Sequence, residues 1–169
     1  DKTVIVTGGN SGIGRATAIQ FAQQGASVAI IARNEKTGNE TVEEINNAGG
    51  TASFHKADVS EGEQVSQAFE QILAQYGQFH AAYNNAGYSN DKNLFNETEF
   101  EEFDQMIKTN LYGIYHCMKH EVRHYLEHGG GAIVNCSSIS GLVARPRQSG
   151  YGTAKSGVNG LTRIVALEY

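Results

Sequence analysis

Residues 3–19 read T-V-I-V-T-G-G-N-S-G-I-G-R-A-T-A-I, and this stretch decides the fold. An apolar run at Val4–Val6 ends in a cluster of glycines, and the apolar residues beyond it recur at helical spacing as far as Ala22. This change of period places the glycines in a turn between a strand and a helix. A turn of this kind sometimes does no more than connect the two elements. It also lets the backbone approach an anion closely, and the N–H groups at the helix start attract one, so we predict a pyrophosphate site.

The same alternation of strand and helix continues along the chain. The predicted strands after the first are Ser27–Ala32, Thr51–Ala57, Phe79–Tyr83 and Ala132–Cys136. The predicted helices after the first are Glu35–Asn47, a helix capped by Ser60 with Glu63 as its reciprocal partner, a long helix from Glu97 to Glu127, and a last helix that begins near Ser149.

Five strands separated by helices predict an α/β fold, because parallel neighbours need a crossover connection. We expect a doubly wound, Rossmann-like parallel sheet of order 3-2-1-4-5 with helices on both faces. Ligands in such sheets bind at the carboxyl ends of the strands, here between strands one and four. We expect one dinucleotide-binding and catalytic domain at residues 1–169. The helical pattern still continues at Tyr169, so we expect the C-terminal strands to be missing.

Composition excludes several classes of function. The net charge is −5, and the chain has no basic cluster, which argues against a nucleic-acid partner. The longest apolar run, Val28–Ala32, has the length of a strand and cannot cross a membrane, so we expect a cytoplasmic protein. Cys117 and Cys136 lie in apolar surroundings and are expected to be small core residues without a disulfide.

Near the start of the last helix, Tyr151 and Lys155 are four residues apart and therefore share a face. A free phenol titrates near pH 10, so proton exchange near neutral pH requires a shift worth about 4 kcal/mol. One positive charge about 4 Å away supplies about 4 kcal/mol at an effective dielectric constant of about 20. The pair is therefore a candidate acid–base group, although tyrosine and lysine also meet by chance on solvated helix faces.

Other residues accompany this pair in a fixed order along nearly the whole chain. They are Thr7-Gly8-x-x-x-Gly12-Ile13-Gly14, Asn84-Asn85-Ala86-Gly87, Asn110 and Ser138. The combination resembles the short-chain dehydrogenase/reductase family. The resemblance implies four catalytic residues, which are Asn110, Ser138, Tyr151 and Lys155. It also implies a set of cofactor-binding residues, which are Gly8, Asn10, Ser11, Gly12, Ile13, Gly14, Arg33, Asp58, Val59, Asn85, Ala86, Gly87, Tyr151 and Lys155.

The function that this resemblance implies is hydride transfer between NADP(H) and a ketone or secondary alcohol. Tyr151 would exchange a proton with the substrate oxygen, Ser138 would hydrogen-bond that oxygen, and Lys155 would hold the nicotinamide ribose. Asn110 would act through a water behind Lys155. The alternatives are a redox-inactive NADP(H) sensor of the same fold and a related epimerase or dehydratase. The resemblance further implies a homo-oligomer, a dimer or tetramer.

The choice of cofactor depends on the end of the second strand. A carboxylate about 20 residues beyond the glycines normally binds the adenosine ribose and repels a 2′-phosphate. Here Ala32 occupies that place and Arg33 follows it. A guanidinium suits a phosphate, so we predict NADP over NAD, with stacking of Arg33 on the adenine as the alternative.

The long helix also carries histidine at every fourth position, at His116, His120, His124 and His128. Pairs at this spacing can bind a metal. A four-residue step drifts by about 40° on a 3.6-residue helix, so the four cannot converge on one ion. We therefore predict no metal site, and we expect the stripe to line or flank a contact between subunits.

Overall fold

The computed structural model describes residues 2–169 and contains a five-stranded parallel sheet. The strand order is β3-β2-β1-β4-β5, which confirms the predicted topology. The strands are β1 Thr3–Thr7, β2 Ser27–Ala32, β3 Thr51–Lys56, β4 Ala81–Asn84 and β5 Ala132–Asn135. In the register of the central strands, Val6 of β1 lies beside Ile30 of β2 and Tyr83 of β4. Strand β1 is therefore the middle of the sheet, with the reversal of strand order between β1 and β4.

Helices connect the strands in the expected alternation. They are α1 Gly12–Gln23, α2 Glu35–Asn47, α3 Gly62–Tyr76, α4 Phe100–Ile107, α5 Gly113–Glu127 and α6 Ser149–Glu168. The predicted bounds of β2 and α2 and the predicted start of α6 are confirmed. The predicted strand Phe79–Tyr83 is shifted, because β4 pairs with β1 only from Ala81.

The predicted cap of α3 is wrong. Ser60 does not cap the helix, because both its N–H and its hydroxyl donate to Asp58 Oδ1, at 3.0 and 2.7 Å. The helix begins two residues later, at Gly62, with Glu61 in the N-cap position. A local turn around an aspartate has replaced the capping box.

The long helix predicted from Glu97 to Glu127 is wrong in its start, whereas its end at Glu127 is confirmed. Thr98 and Glu99 have extended backbone, so α4 begins at Phe100, after a 3₁₀ turn at Phe95–Glu97. A π-helical turn at Lys108–Tyr112 separates α4 from α5. Turns of this kind inside helices are frequent at functional sites.

Alternate residues of the buried strands face opposite sides of the sheet and build two apolar layers. On one side Ile5 and Ile31 pack with α3 and α5, through side chains that include Val65, Phe69, Ile72, Cys117 and Tyr125. On the other side Val6 and Ile30 pack with α1 and α2, through Ala18, Ala22 and Ile45. Helices therefore cover both faces of the sheet, which leaves the ends of the strands for a ligand.

The two cysteines, Cys117 and Cys136, are free; Cys117 is buried and Cys136 is half-buried. Within residues 2–169 none of the helices combines the length and the apolar character that a membrane crossing requires.

A buried carboxyl lies on α5 against the end of β4. Glu121 is fully buried, and Asn84 Nδ2 donates to its Oε2 at 3.0 Å. Glu121 Oε1 and Asn84 Oδ1 are buried and have no hydrogen-bond partner among residues 2–169. Burial raises the pKa of Glu121 to about 8, against which the hydrogen bond from Asn84 acts only in part. A protonated Glu121 gains an O–H donor and avoids a buried negative charge.

The other titratable side chains that face Glu121 are Cys117 and Tyr125 of α5. Burial and the nearby carboxyl raise the pKa of both, so both are neutral at neutral pH. Glu121 is therefore the group of this cluster that titrates between pH 5 and 8.

We predict that Glu121→Gln flattens the dependence of stability on pH. The folded-state pKa lies above the ordinary value of 4.5, so the folded protein keeps a proton that the unfolded chain has lost. The free energy of unfolding of the parent then falls as the pH rises from about 4.5 to about 8, by at most about 1.4 kcal/mol per pH unit. Urea titrations from pH 5 to 8 measure it. The exposed Glu43→Gln is the control, and equal slopes for the parent and Glu121→Gln would contradict the prediction.

Candidate active site

An open cleft of about 380 Å³ lies at the carboxyl edge of the sheet. Its walls come from the turns after β1, β2, β3 and β4. Most of the predicted cofactor-binding residues line it, namely Gly8, Asn10, Ser11, Gly12, Ile13, Arg33, Asp58, Val59, Asn85, Ala86 and Gly87. These residues come from four separate stretches of sequence, and the topology of the sheet brings them to one place.

The glycine turn runs from β1 into α1 and packs against the turn after β4. A β-carbon on Gly14 would overlap the carbonyl oxygen of Gly8 and would lie 2.5 Å from Asn85 Nδ2. Only glycine therefore fits at the first turn of α1. The Ser11 N-cap forms no side-chain capping bond in the described structure, so the first N–H groups of α1 are left for an anion.

A threonine at the end of β1 joins the two turns. The hydroxyl of Thr7 accepts hydrogen bonds from the backbone N–H groups of Asn85 and Ala86, at 2.9 and 3.0 Å. In return, Asn85 Nδ2 donates to the backbone oxygen of Thr7 at 3.1 Å. The sequence reasoning used Thr7 only as part of a motif and missed this role. The signal for this role in the sequence was the position of Thr7 at the end of a central strand.

Arg33 follows β2 at the far end of the cleft, with its side chain 64% exposed. Its Nη1 lies 3.4 Å from Asp58 Oδ2. Burial alone would raise the pKa of Asp58, but hydrogen bonds from Ser60 and the charge of Arg33 hold it below its usual value. The cleft therefore carries one guanidinium that is exposed enough to reach a bound anion and one carboxylate that partly neutralises it.

Tyr151 and Lys155 lie in the first two turns of α6. Lys155 is buried, and its Nζ is 5.6 Å from the centre of the Tyr151 ring. The ammonium donates to the backbone oxygen of Cys136, just after β5, at 2.7 Å. Burial lowers the pKa of Lys155, although the charge of Cys136 acts in the opposite direction. The helix thus holds a desolvated cation beside the face of a phenol, as its spacing predicted.

Asn110 lies in the π-helical turn and is fully buried. Its Oδ1 accepts from the N–H of Tyr88 at 3.1 Å, and its Nδ2 donates to the oxygen of Tyr88 at 2.9 Å. A β-carbon built on Gly87 would lie 2.5 Å from Asn110 Oδ1 and 3.6 Å from Lys155 Nζ. Asn110, Gly87 and Lys155 are therefore neighbours at the inner end of the cleft.

Ser138 lies three residues beyond β5 in extended backbone. Its hydroxyl oxygen accepts from the N–H of Ser140 at 3.2 Å. The neighbouring Ser137 donates to the backbone oxygen of Lys155 at 3.2 Å, which ties this segment to α6. The catalytic role of Ser138 stays a prediction.

The histidine stripe on α5 faces the chain's own residues. His116 bonds the backbone oxygen of Val59 at 3.0 Å, and His120 stacks on Phe69. His124 is buried, and it bonds the backbone of Phe79. The expectation that the stripe lines or flanks a contact between subunits stays a prediction. Among residues 2–169, no three His, Cys, Asp or Glu side chains come together in a way that could hold a metal ion.

The arrangement combines a glycine turn with free N–H groups and a tyrosine beside a buried lysine. The free N–H groups at the start of α1 could hold a pyrophosphate, and the guanidinium of Arg33 could reach an anion at the far end of the cleft. Tyr151 and Lys155 do not line the cleft itself, but Lys155 lies next to Gly87, which does. A tyrosine beside a lysine can exchange a proton with an oxygen atom of a bound molecule while the adjacent carbon reacts.

Comparison with known proteins supports the same interpretation. Residues 2–169 match the sequence profile of the family described as short chain dehydrogenase. The chain is 41% identical to the cyclohexanol dehydrogenase of Acinetobacter sp. (strain SE19) over 169 residues, covering 100% of the chain and 67% of the relative. It is 40% identical to the 3beta-hydroxysteroid dehydrogenase of Mediterraneibacter gnavus, covering 100% of the chain and 61% of the relative.

A solved structure, the crystal structure of levodione reductase, superposes with a TM-score of 0.96 at 32% identity. The superposition covers 99% of this chain and 66% of that one. The chain therefore spans about two thirds of the length of these relatives.

The fit of Gly14 can be tested by Gly14→Ala. The added methyl group collides with the Gly8 carbonyl and the Asn85 amide, so we expect a loss of about 1–3 kcal/mol in the free energy of unfolding and weaker binding of a nicotinamide dinucleotide. The matched control is Gly160→Ala on α6, where a β-carbon meets nothing within 4 Å, and we expect a gain of about 0.5–1 kcal/mol there. Chemical denaturation and fluorescence titration measure both effects, and equal stabilities of the two variants would refute the steric argument.

Proposed function

Because the chain belongs to the short-chain dehydrogenase family, we propose that it transfers a hydride between NADP(H) and a ketone or secondary alcohol. Both curated relatives are named for dehydrogenation of a secondary alcohol, cyclohexanol in one and a hydroxysteroid in the other. The observation that carries the proposal is the buried ammonium of Lys155, which lies beside the ring of Tyr151 and next to Gly87 at the edge of the cleft.

In the proposed reaction NADPH supplies the hydride when it is bound, and the chain supplies binding, orientation and proton chemistry. The turn Gly8–Gly14 binds the pyrophosphate with its backbone N–H groups. Asp58 and Val59 border the adenine, and Asn85–Gly87 form the floor of the cleft. In the reductive direction, the Tyr151 hydroxyl gives its proton to the substrate oxygen.

Three further residues support this proton transfer. Ser138 donates a hydrogen bond to the same substrate oxygen. Lys155, whose ammonium lies 5.6 Å from the centre of the Tyr151 ring, holds the ribose hydroxyls. Asn110 fixes the backbone at Tyr88 and so supports the wall of the cleft next to Lys155; we propose that it also borders the proton path, through a water.

Tyr151→Phe tests the role of the phenol. The variant keeps the ring but loses the exchangeable proton, so we expect kcat to fall by a factor of about 10² to 10⁴ while the Kd for NADPH stays within about twofold. The measurement is NADPH oxidation with a panel of ketones, together with a binding titration. The control is Tyr169→Phe, an exposed tyrosine at the end of α6. A folded Tyr151→Phe protein that reduces ketones at the parent rate would exclude this mechanism.

A redox-inactive sensor of NADP(H) is the second candidate. The cleft alone would suit a sensor equally well, because binding requires only the glycine turn and the residues that surround the cofactor. A buried lysine beside a tyrosine is expensive to keep, since burial disfavours its charge. A protein that only binds the cofactor does not need a group with this energetic cost, so the buried Lys155 favours an enzyme over a sensor. Tight NADPH binding without turnover of any ketone or alcohol in a broad panel would favour the sensor.

We propose NADP as the cofactor on the basis of Arg33. Its side chain is exposed at the end of the cleft, and Ala32 stands where NAD enzymes of this fold carry a carboxylate. A bound 2′-phosphate would compete with Asp58 for the guanidinium and would offer it a stronger, bidentate partner.

Arg33→Ala is therefore expected to weaken NADPH binding by at least about tenfold and to leave NADH binding nearly unchanged. Parallel titrations of the two cofactors measure this selectivity. The control is Arg163→Ala, an exposed arginine on α6 outside the cleft. If both cofactors lost the same affinity, stacking on the adenine would explain Arg33 instead.

The face formed by α5 and the preceding π-helical turn supports a further proposal, that the protein is a homo-oligomer, a dimer or tetramer. Tyr112 and Tyr115 are both 47% exposed there, and Leu126 is 63% exposed. Large apolar side chains grouped on one surface are typical of contacts between subunits.

A further inference from the structure

One contact beside Tyr151 has no part in the reaction described so far. Asp91, in the loop after β4, accepts a hydrogen bond from the backbone N–H of Tyr151 at 2.8 Å. The two residues are 60 positions apart in sequence. Asp91 is half-buried, and it does not line the dinucleotide cleft.

The contact does what a helix cap ordinarily does. Tyr151 is the third residue of α6, and its N–H is one of those left free at a helix start. Gln148, the N-cap residue, gives no side-chain capping bond within the described structure, and the first turn contains no acidic residue. The carboxylate of Asp91 therefore supplies from a distant loop both the missing acceptor and the negative charge that a helix start favours.

The backbone around the contact is shaped to admit the carboxylate. Gly150 is buried, and a β-carbon there would lie 3.2 Å from Asp91 Oδ1 and 2.9 Å from the side chain of Met106. A larger residue would push the carboxylate away from the helix. The glycine beside Tyr151 is thus explained by the approach of Asp91 and α4.

The loop that carries Asp91 is held at its other end by Asn110. Asn110 bonds both the N–H and the carbonyl of Tyr88, three residues before Asp91. The segment from Tyr88 to Asp91 is therefore fixed between the floor of the cofactor cleft and the start of the helix that carries Tyr151 and Lys155. A shift of either end would move the other.

We propose that Asp91 is a positioning residue for the reaction, which rests on the proposed function. By holding the N–H of Tyr151, Asp91 fixes the start of α6 relative to the cofactor floor and so sets the distance from the phenol to the substrate oxygen. A misplacement of about 1 Å between reacting groups can cost a factor of about 10² in rate. Asp91 does not touch substrate or cofactor, and its effect is expected in kcat.

The test compares Asp91→Ala with Asp91→Asn in the full chain. The alanine variant has no acceptor, so kcat is expected to fall about tenfold, with KM and the Kd for NADPH within about twofold. The asparagine variant keeps an acceptor oxygen and is expected to recover kcat to within about threefold of the parent. The control is Glu97→Ala, an exposed acid further along the same connection, which should behave as the parent. All assays are made well below each variant's melting temperature.

Amide hydrogen exchange at Tyr151, followed by NMR, provides a readout that does not depend on turnover. Exchange should accelerate in Asp91→Ala and stay close to the parent in Asp91→Asn. Unchanged exchange, or faster exchange with an unchanged kcat, would overturn the positioning role. A parent protein that turns over no substrate would instead contradict the proposed function, so the two failures are distinguishable.

Discussion

The contact between the carboxyl ends of β1 and β4 is the constraint on which the site depends. The hydroxyl of Thr7 receives the N–H groups of Asn85 and Ala86, and the Asn85 amide returns a bond to the Thr7 carbonyl. Each such bond contributes only about 0.5–1.5 kcal/mol net, but leaving any of these groups buried without a partner would cost more. The contact lies where the strand order reverses, so the glycine turn and the turn after β4 must face each other. Everything that lines the cleft is placed relative to this junction.

Behind that junction the protein keeps polar groups in its interior. Asn84 bonds Glu121 of α5 and Asn135 of β5, and Asn135 bonds Thr162 of α6. A network of this kind is stable only when its members are satisfied, which for Glu121 means keeping a proton. The network links the neighbouring strands β4 and β5 to helices α5 and α6. Helix α6 provides the buried Lys155, and the π-helical turn before α5 provides the buried Asn110, so the polar interior and the proposed reactive groups share one framework.

Much of the fold could be predicted because it follows from short-range patterns. Apolar runs such as Val28–Ala32, broken by glycine and followed by helical spacing, define strands and crossovers, and the right-handed crossover leaves few strand orders. The Tyr151–Lys155 pair was predictable because helix geometry alone brings positions four apart together.

The capping of α3 could not be predicted, because Asp58 competes for Ser60 through a local turn that ordinary capping rules ignore. The π-helical turn at Asn110 was not predictable either, since no change of apolar period marks it. The role of Asp91 could not be predicted from the sequence. Its partner lies 60 residues away and is a backbone N–H group, which every residue except proline has.

The first turn of α6 has a consequence for how this chain tolerates change in length. Tyr151 and Lys155 face the same way because three residues separate them, and each residue rotates the helix by about 100°. Substitutions at the exposed Thr153 leave that geometry intact. Removing or adding one residue there would swing the ammonium a quarter turn or more away from the phenol while the helix itself remained helical. The loop before α6, which contains Pro146, does not affect the orientation of Tyr151 relative to Lys155. Insertions and deletions are therefore compatible with the loop at residues 142–148 but not with the next two turns.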